Sequence, residues 1–302
     1  MKKQNVLTRR VQRNASTKEQ TRTAYLMLIP ALIILGVFVF YPIVSAGYLS
    51  LTSWDGFNPE KPFVGLSNYV RLAKDNEFWN SLLVTIIYAF GVSVLSVISG
   101  LFFALLLDGP LRGRGIYRTI YFLPVVTSSV AIAIVWKYML DYSGLINTWL
   151  GKIGISGPDW LQNRWLALLA LTLLTVWKNL GFNIVLYLTA LQSLPKAVFE
   201  ASEIDGANKV KQVRFIVVPL LRPMTFFVIV QALINSFQAF DLVYVFTEGG
   251  PRGGTDVLGM MMYRQAFRLG DFGYGTAISL VTLVLVLLVT LVQWKLKGAD
   301  EK

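Results

Sequence analysis

Six polar side chains stand out in stretches that are mostly apolar. They are Lys178 and Asn179 in VWKNLGFN, Gln231, Asn235 and Gln238 in VQALINSFQAF, and Asp241 in FDLVYVF. The spacing i, i+4, i+7 of Gln231, Asn235 and Gln238 puts three amides on one helix face. Such a stripe either glues helices together or lines a wet cavity. Beside Trp177, Phe237 and Phe240 it suits a polyhydroxylated solute, with amides meeting hydroxyls and rings meeting the apolar faces of a sugar. A charge near the middle of a membrane helix costs at least about 2.5 kcal/mol, so Lys178 is expected to face protein or water. Asp241 is its natural counter-charge, reached by extending the lysine stem. A structural ion pair between two helices and a role in a solute path both satisfy this pattern.

The chemistry these residues can do is bounded by what the chain lacks. Cysteine and histidine are absent, which removes thiol nucleophiles, disulfides, imidazole bases and the common transition-metal ligands together. No G-x-x-x-x-G-K-[ST] loop occurs, and GPLRGRG at 109–115 lacks the Lys-Ser/Thr ending that holds phosphate and magnesium. H-E-x-x-H, G-x-S-x-G and an intramembrane carboxylate pair are missing too. The sequence predicts no catalytic residue, no metal and no cofactor on this chain, and therefore not an enzyme.

The elements that must position the polar residues are membrane helices. Of 302 residues 55% are hydrophobic and 15% charged, well below the roughly 25% charged of soluble domains. Apolar runs long enough to cross about 30 Å of hydrocarbon lie near 24–50, 80–107, 119–140, 165–191, 218–246 and 273–296. The fold class is thus all-α, a polytopic membrane protein with six spans. Lysines and arginines decide its orientation: eighteen fall in the tail, the loops 108–118 and 192–222 and the C-terminal end, against nine in the opposite loops. The positive-inside bias places both termini in the cytoplasm. The same clustering at span ends accounts for the net charge of +11 without a nucleic-acid partner. The first run exceeds a signal-peptide core and reads as an uncleaved anchor in the lipid bilayer.

One cytoplasmic stretch, EASEIDGANKVKQVRFIVVP at 200–219, interrupts the apolar chain. Pro195 suits a first helical turn and Gly206 a helix end. Lys196, Glu200 and Glu203 share one face, with Ala197, Ala201 and Ile204 beside it. Small residues next to carboxylates let a short helix sink into a cleft and pair with basic groups there. Pro219 and Pro223 stiffen the entry to the fifth span, so motion of the docked helix passes into the membrane. A solvated loop with helix-favouring charges satisfies the same composition.

Glu200, Ala201 and Ser202, then Glu203, Asp205 and Gly206, then Ile216 and Pro219, resemble the EAA loop of permease subunits of binding-protein-dependent ABC importers. Ser202 stands where the family usually has a second alanine. FVGLSNYVRL at 63–72, LRGRGIYRTIYFLP at 111–124, LQSLPKAVFEAS at 191–202 and FDLVYVFTEGGP at 240–251 are similar to the carbohydrate-uptake branch, of maltose and lactose type. The resemblance implies an ABC type I importer permease that moves a sugar, of oligosaccharide size, across a bacterial or archaeal cytoplasmic membrane. It implies a basic tail at 1–23, a permease domain at 24–297 with a coupling loop at 192–219, and a short cytoplasmic end at 298–302. The implied partners are a second, homologous permease subunit, two ABC ATPase subunits that carry ATP and Mg, and an extracytoplasmic sugar-binding protein. The loops around Trp54 to Lys74, Asp141 to Asn163 and Glu248 to Asp271 would receive that protein, and Glu200 would meet a basic residue of an ATPase. Sugar contacts are implied at Trp177, Leu180, Gly181 and Ile184, and at Ala232, Ser236 and Ala239, a face that adjoins the amide stripe. Two rivals remain: an importer of the same build for glycerol phosphate, and an ion-coupled secondary transporter. The latter should show broken helices meeting at the midplane and internal repeats.

Overall fold

A computed structural model describes residues 20–109 and 113–300. Residues 1–19 of the basic tail, Arg112 of the 108–118 loop, and Glu301 and Lys302 of the C-terminal end lie outside the described residues. Among the described residues the secondary structure is helical, with one isolated bridge between Thr52 and Phe63 and no named strand.

The first long helix, α1, runs Gln20–Leu49 with a π-turn at Gly36–Phe40. A short surface helix α2, Ser67–Lys74, leads into α3, Asn76–Leu107. Asp75 caps α3 by accepting the Glu77 amide. Next come α4 at Arg114–Val126, α5 at Ser129–Met139 and the short α6 at Leu145–Lys152. The fourth apolar run is α7, Arg164–Gln192, capped by Asn163, which accepts the amides of Trp165 and Leu166. Helix α8, Lys196–Ile204, is followed by α9, Lys209–Leu220, and α10, Arg222–Phe237. Three short pieces follow, α11 at Asp241–Phe246, α12 at Leu258–Tyr263 and a π-turn at Arg264–Arg268, before the final helix α13, Phe272–Asp300.

Four of these helices are individually long and apolar enough to span a membrane: α1, α3, α7 and α13. Two bent pairs raise the number to six if each pair is one span: α4 with α5, at 97°, and α9 with α10, at 66°. The third expected span is therefore folded in two. Thr127 and Ser128 adopt extended ψ between its halves, and Pro124 removes an amide donor just before them. The expected run 218–246 is likewise divided. A bend falls at Leu221, between Pro219 and Pro223, and Gln238, Ala239 and Phe240 link α10 to α11.

Helix α3 is the hub of the packing. Its outer half meets α5, α7 and α11 in a core that includes Tyr88, Leu171 and Val243, and meets α12 and α13 around Phe78, Leu258 and Tyr274. Its inner end meets α7, α9 and α10 around Ala104, Tyr187 and Leu221. By contrast α1 packs on α13 through Tyr41–Leu49 and leaves nearly all its apolar side chains exposed. A surface so apolar requires lipid or a partner subunit against it.

A polar clamp ties the TEGGPRGGTD loop, 247–256, to the outer ends of α3 and α7. Asp256, 2% exposed, accepts from Ser81 Oγ at 3.0 Å and from Arg264 at 2.8 Å. Arg264 reaches Glu77 as well, at 3.2 Å. Asn80 joins Gly253 O to Arg164, and the Leu258 amide donates to Thr85 Oγ1 at 2.9 Å. Burial pushes the Asp256 carboxyl above its ordinary range, and Arg264 and Ser81 oppose that rise only in part.

Candidate functional site: a polar cavity and an exposed short helix

Helix α7 and helix α10 each turn a polar stripe toward a cavity of about 450 Å³. From α10 and its link to α11 come Gln231, Asn235, Gln238 and Asp241, with Ala232, Ser236 and Ala239 between them. Thr175, Lys178 and Asn179 face them from α7, and Asn183 extends the row. The stripe on α10 holds its shape because Ser236 satisfies itself on the Ala232 carbonyl at 2.7 Å. Asn179 does the same on Thr175 O at 3.0 Å, while Tyr88 Oη and Thr175 Oγ1 lie 2.8 Å apart across the α3–α7 contact.

Not every polar atom here is satisfied. Gln231 Oε1 is buried without a hydrogen-bond partner, a state that costs about 1–3 kcal/mol unless something in the cavity donates to it. Among the described residues no ion pair joins Lys178 to Asp241; the two charges line the same cavity separately. The cavity thus offers amide and hydroxyl donors and acceptors, one ammonium and one carboxylate, with Val92, Val125, Phe182 and Leu242 between them, a lining suited to a polar solute.

Four expected contact residues point elsewhere. Trp177 stands edge-on to Trp136, with centroids 5.5 Å apart. Ile184 is buried in the inner core, and Leu180 packs against that core. Gly181 lies under α4: a Cβ there would come 2.1 Å from Tyr121 O. The rotation of α7 brings 178, 179 and 183 to the cavity, leaves 180, 181 and 184 on the packing faces and turns Trp177, 40% exposed, outward beside Trp136.

At the end of the bundle away from that loop clamp, α8 spans nine residues and stops where Gly206 takes φ +76°, a left-handed conformation that suits glycine. Glu200, Ala201, Glu203 and Asp205 are exposed. Ser202 is not: it donates to Phe199 O at 2.7 Å and accepts from the buried Gln212 amide at 3.0 Å. The departure at Ser202 is an internal brace between α8 and α9, turned away from the exposed face. Lys196 and Glu203 border a cleft of about 650 Å³ within the chain, beside Asp108 and Lys209, and Glu200 is not among its lining residues. Ile216 and Pro219 lie half-buried along α9. Ile204, 87% exposed, adds an unpartnered apolar side chain that stands clear of the protein.

The profile of the family described as "Binding-protein-dependent transport system inner membrane component" matches residues 96–296. The chain belongs to this family. It is a multi-pass inner-membrane permease. It is 38% identical over 277 residues to the trehalose/maltose transport system permease protein MalF of Thermococcus litoralis, which covers 91% of this chain and 94% of the relative. It is 34% identical over 273 residues to the sn-glycerol-3-phosphate transport system permease protein UgpA of Yersinia pestis, covering 90% and 92%. Among solved structures, a bacterial ABC transporter involved in the import of the acidic polysaccharide alginate has a chain of the same fold. Its TM-score is 0.81 at 21% identity, with 96% of this chain and all of that chain covered.

Two residues of the permease's cavity were open to sequence reading beside Asn179: Thr175 and Asn183 stand four residues before and after it on α7, a second polar stripe facing the one on α10. Ser129 is the only serine, threonine, asparagine or glutamine of α5, and Tyr88 and Ser96 of α3 are not set apart from Ser81, Thr85, Ser93 and Ser99 on the same helix, so neither helix singles out its cavity residues by pattern.

Proposed function

We propose that this permease is one membrane-spanning subunit of an ATP-driven type I importer that carries a sugar, of oligosaccharide size, into the cytoplasm of a bacterium or archaeon. The observation that carries the reading is the pair of amide-bearing stripes facing one another across a membrane cavity, with the partnerless Gln231 Oε1 among them. Hydroxyl-rich solutes supply both donors and acceptors to such walls. The trehalose/maltose relative supports this choice of solute.

In this reading the chain spans the membrane six times with both termini inside. It pairs with a second permease, two ATPase subunits that hold ATP and Mg, and an external sugar-binding protein. Helix α8 docks into an ATPase through Glu200 and Ile204, and α9 transmits its movement to α10 across the bend at Leu221. ATP closes the ATPase pair, the α8 helices follow, and the cavity turns toward the binding protein. The energy comes from the different affinities of the two states for ATP and for loaded binding protein. Residues 24–297 form the permease domain and 192–219 its coupling loop.

A second solute class has one observation in its favour: Lys178 lines the cavity with no ion pair among the described residues, which suits an anion such as glycerol phosphate. Reconstituting the complete complex with its binding protein and measuring stimulated ATP hydrolysis separates the two. Stimulation by maltose, trehalose or lactose supports the sugar reading, and stimulation by glycerol 3-phosphate alone refutes it.

A further inference from the structure

Three cavity-lining side chains, one on each of three helices, are withdrawn from bulk water and make no hydrogen bond to the protein among the described residues. Ser96 of α3 is 2% exposed and Asn183 of α7 is 7% exposed, and Gln231 of α10 carries the buried, partnerless Oε1. Polar neighbours on the same helices behave otherwise. Ser93 and Ser99 donate to the Ala89 and Leu95 carbonyls at 2.7 and 2.6 Å. Thr172, Thr175 and Asn179 likewise bond back four residues along α7, and Ser236 does so on α10. Bonding back onto the helix is the usual way a short polar side chain satisfies itself there, and in each helix the exception lines the cavity.

Contacts between the helices put the three exceptions at one level. Gly100 of α3 packs on α7, where a Cβ would stand 2.9 Å from Asn183 Cβ and 3.2 Å from Tyr187 Cδ2. Tyr187 Oη in turn donates to Thr225 Oγ1 of α10 at 3.2 Å. Ser96 is about one turn before Gly100, Asn183 about one turn before Tyr187, and Gln231 fewer than two turns after Thr225 on a helix that runs the other way. Tyr88 and Thr175 precede Ser96 and Asn183 by eight residues each, so their hydrogen-bonded pair marks the opposite end of the cavity, about 12 Å away along the helices. Toward α8 the helices close in an apolar core of Ala104, Ile184, Tyr187, Leu221 and Val228, none of which lines the cavity. Ser96, Asn183 and Gln231 therefore form its floor.

Helix glue would require these groups to bond to one another, and they do not. The floor holds a hydroxyl and two amides, which together donate and accept without carrying charge. Along their own helices Lys178 and Asp241 stand more than one turn nearer the other end. An uncharged group that both accepts and donates, the hydroxyl of a sugar, matches this set.

We infer that Ser96, Asn183 and Gln231 are a floor subsite, where the hydroxyls of one uncharged sugar ring make the hydrogen bonds that the protein leaves unmade. This rests on the reading of the permease as a sugar importer. Gln231 Oε1 accepts from the ring, and the ring sits directly against the apolar core at Tyr187.

The test uses the complete complex in proteoliposomes with its binding protein, and labelled maltose, trehalose, lactose and maltotetraose as probes. The sugar that the wild type imports fastest is then offered to Gln231→Met and Asn183→Leu, which keep side-chain size and remove the amide, and to Ser96→Ala. Each is expected to slow import about fivefold at subsaturating loaded binding protein, the effect of one lost hydrogen bond. The thermal midpoint of each sugar-free variant complex in detergent is expected to equal or exceed that of the wild type, because a partnerless polar group has given way to an apolar one. Wild-type import by Gln231→Met or Asn183→Leu overturns the subsite. A lowered midpoint in those two variants overturns it as well, since the amides would then be holding the helices together. A wild-type complex that imports none of the four sugars overturns the substrate reading, and the subsite with it.

Discussion

Replacing Gly181 by alanine discriminates between two roles for one residue. The family resemblance makes Gly181 a sugar contact, whereas the structure packs it beneath α4. An added Cβ would stand 2.1 Å from Tyr121 O, 2.9 Å from Tyr121 C and 3.1 Å from Phe122 Cα, against ordinary contacts of 3.4–4 Å. All three atoms are backbone, so no rotamer change relieves the overlap, and α4 must move off α7 by roughly 1 Å. Overpacking of this kind costs about 1–3 kcal/mol. Taking about 2 kcal/mol, a chain of this size loses about 3 °C in its unfolding midpoint. Heating the detergent-purified complex and following the monodisperse fraction by size exclusion measures that shift. Wild-type thermal stability combined with an altered sugar preference would refute the packing argument and return Gly181 to the solute path.

Glu200→Lys is expected to abolish uptake while membrane insertion stays intact, because an exposed carboxylate of α8 is reversed in charge; undiminished transport would sink the docking role. Ile204→Asp should release the ATPase during purification, since it removes about 2 kcal/mol of apolar burial on docking; full retention of the ATPase counts against it. In the cavity, Asn235→Leu is expected to weaken sugar-stimulated ATP hydrolysis more than basal hydrolysis, and equal loss of both would point to helix packing. Asp256 provides a pH test. Burial raises its carboxyl above 3.8 in the folded protein, so its contribution to stability is full below about pH 4 and is lost as the pH rises through the raised value. Asp256→Asn retains an oxygen for Ser81 and Arg264 without the charge. The thermal midpoint of the variant, relative to wild type, is therefore expected to rise between about pH 4 and pH 7, and a relative fall over that range would show that the pair with Arg264 dominates.

Much of this permease is written in local pattern. Apolar runs of membrane length located α1, α3, α7 and α13, because a span must satisfy its backbone within itself and so leaves a long, uniform signal. The stripe Gln231, Asn235, Gln238 was legible because it recurs with helical period within one segment. Gly206 marked the end of α8 through the left-handed conformation that glycine tolerates best. Other features depend on which segments meet. Whether Asn179 or Gly181 faces the cavity is a rotation of α7 fixed by the approach of α4, and Ser202 turns inward because Gln212 lies beneath it. The charges of Lys178 and Asp241 invited pairing on chemical grounds, yet the break of α10 at Gln238 sets them apart on the wall of one cavity. Composition and period determined that helices cross a membrane and which polar residues could line a cavity. The rotation and bending of those helices decided which of them face it, since side-chain direction along a helix is set by its neighbours and no local sequence encodes them.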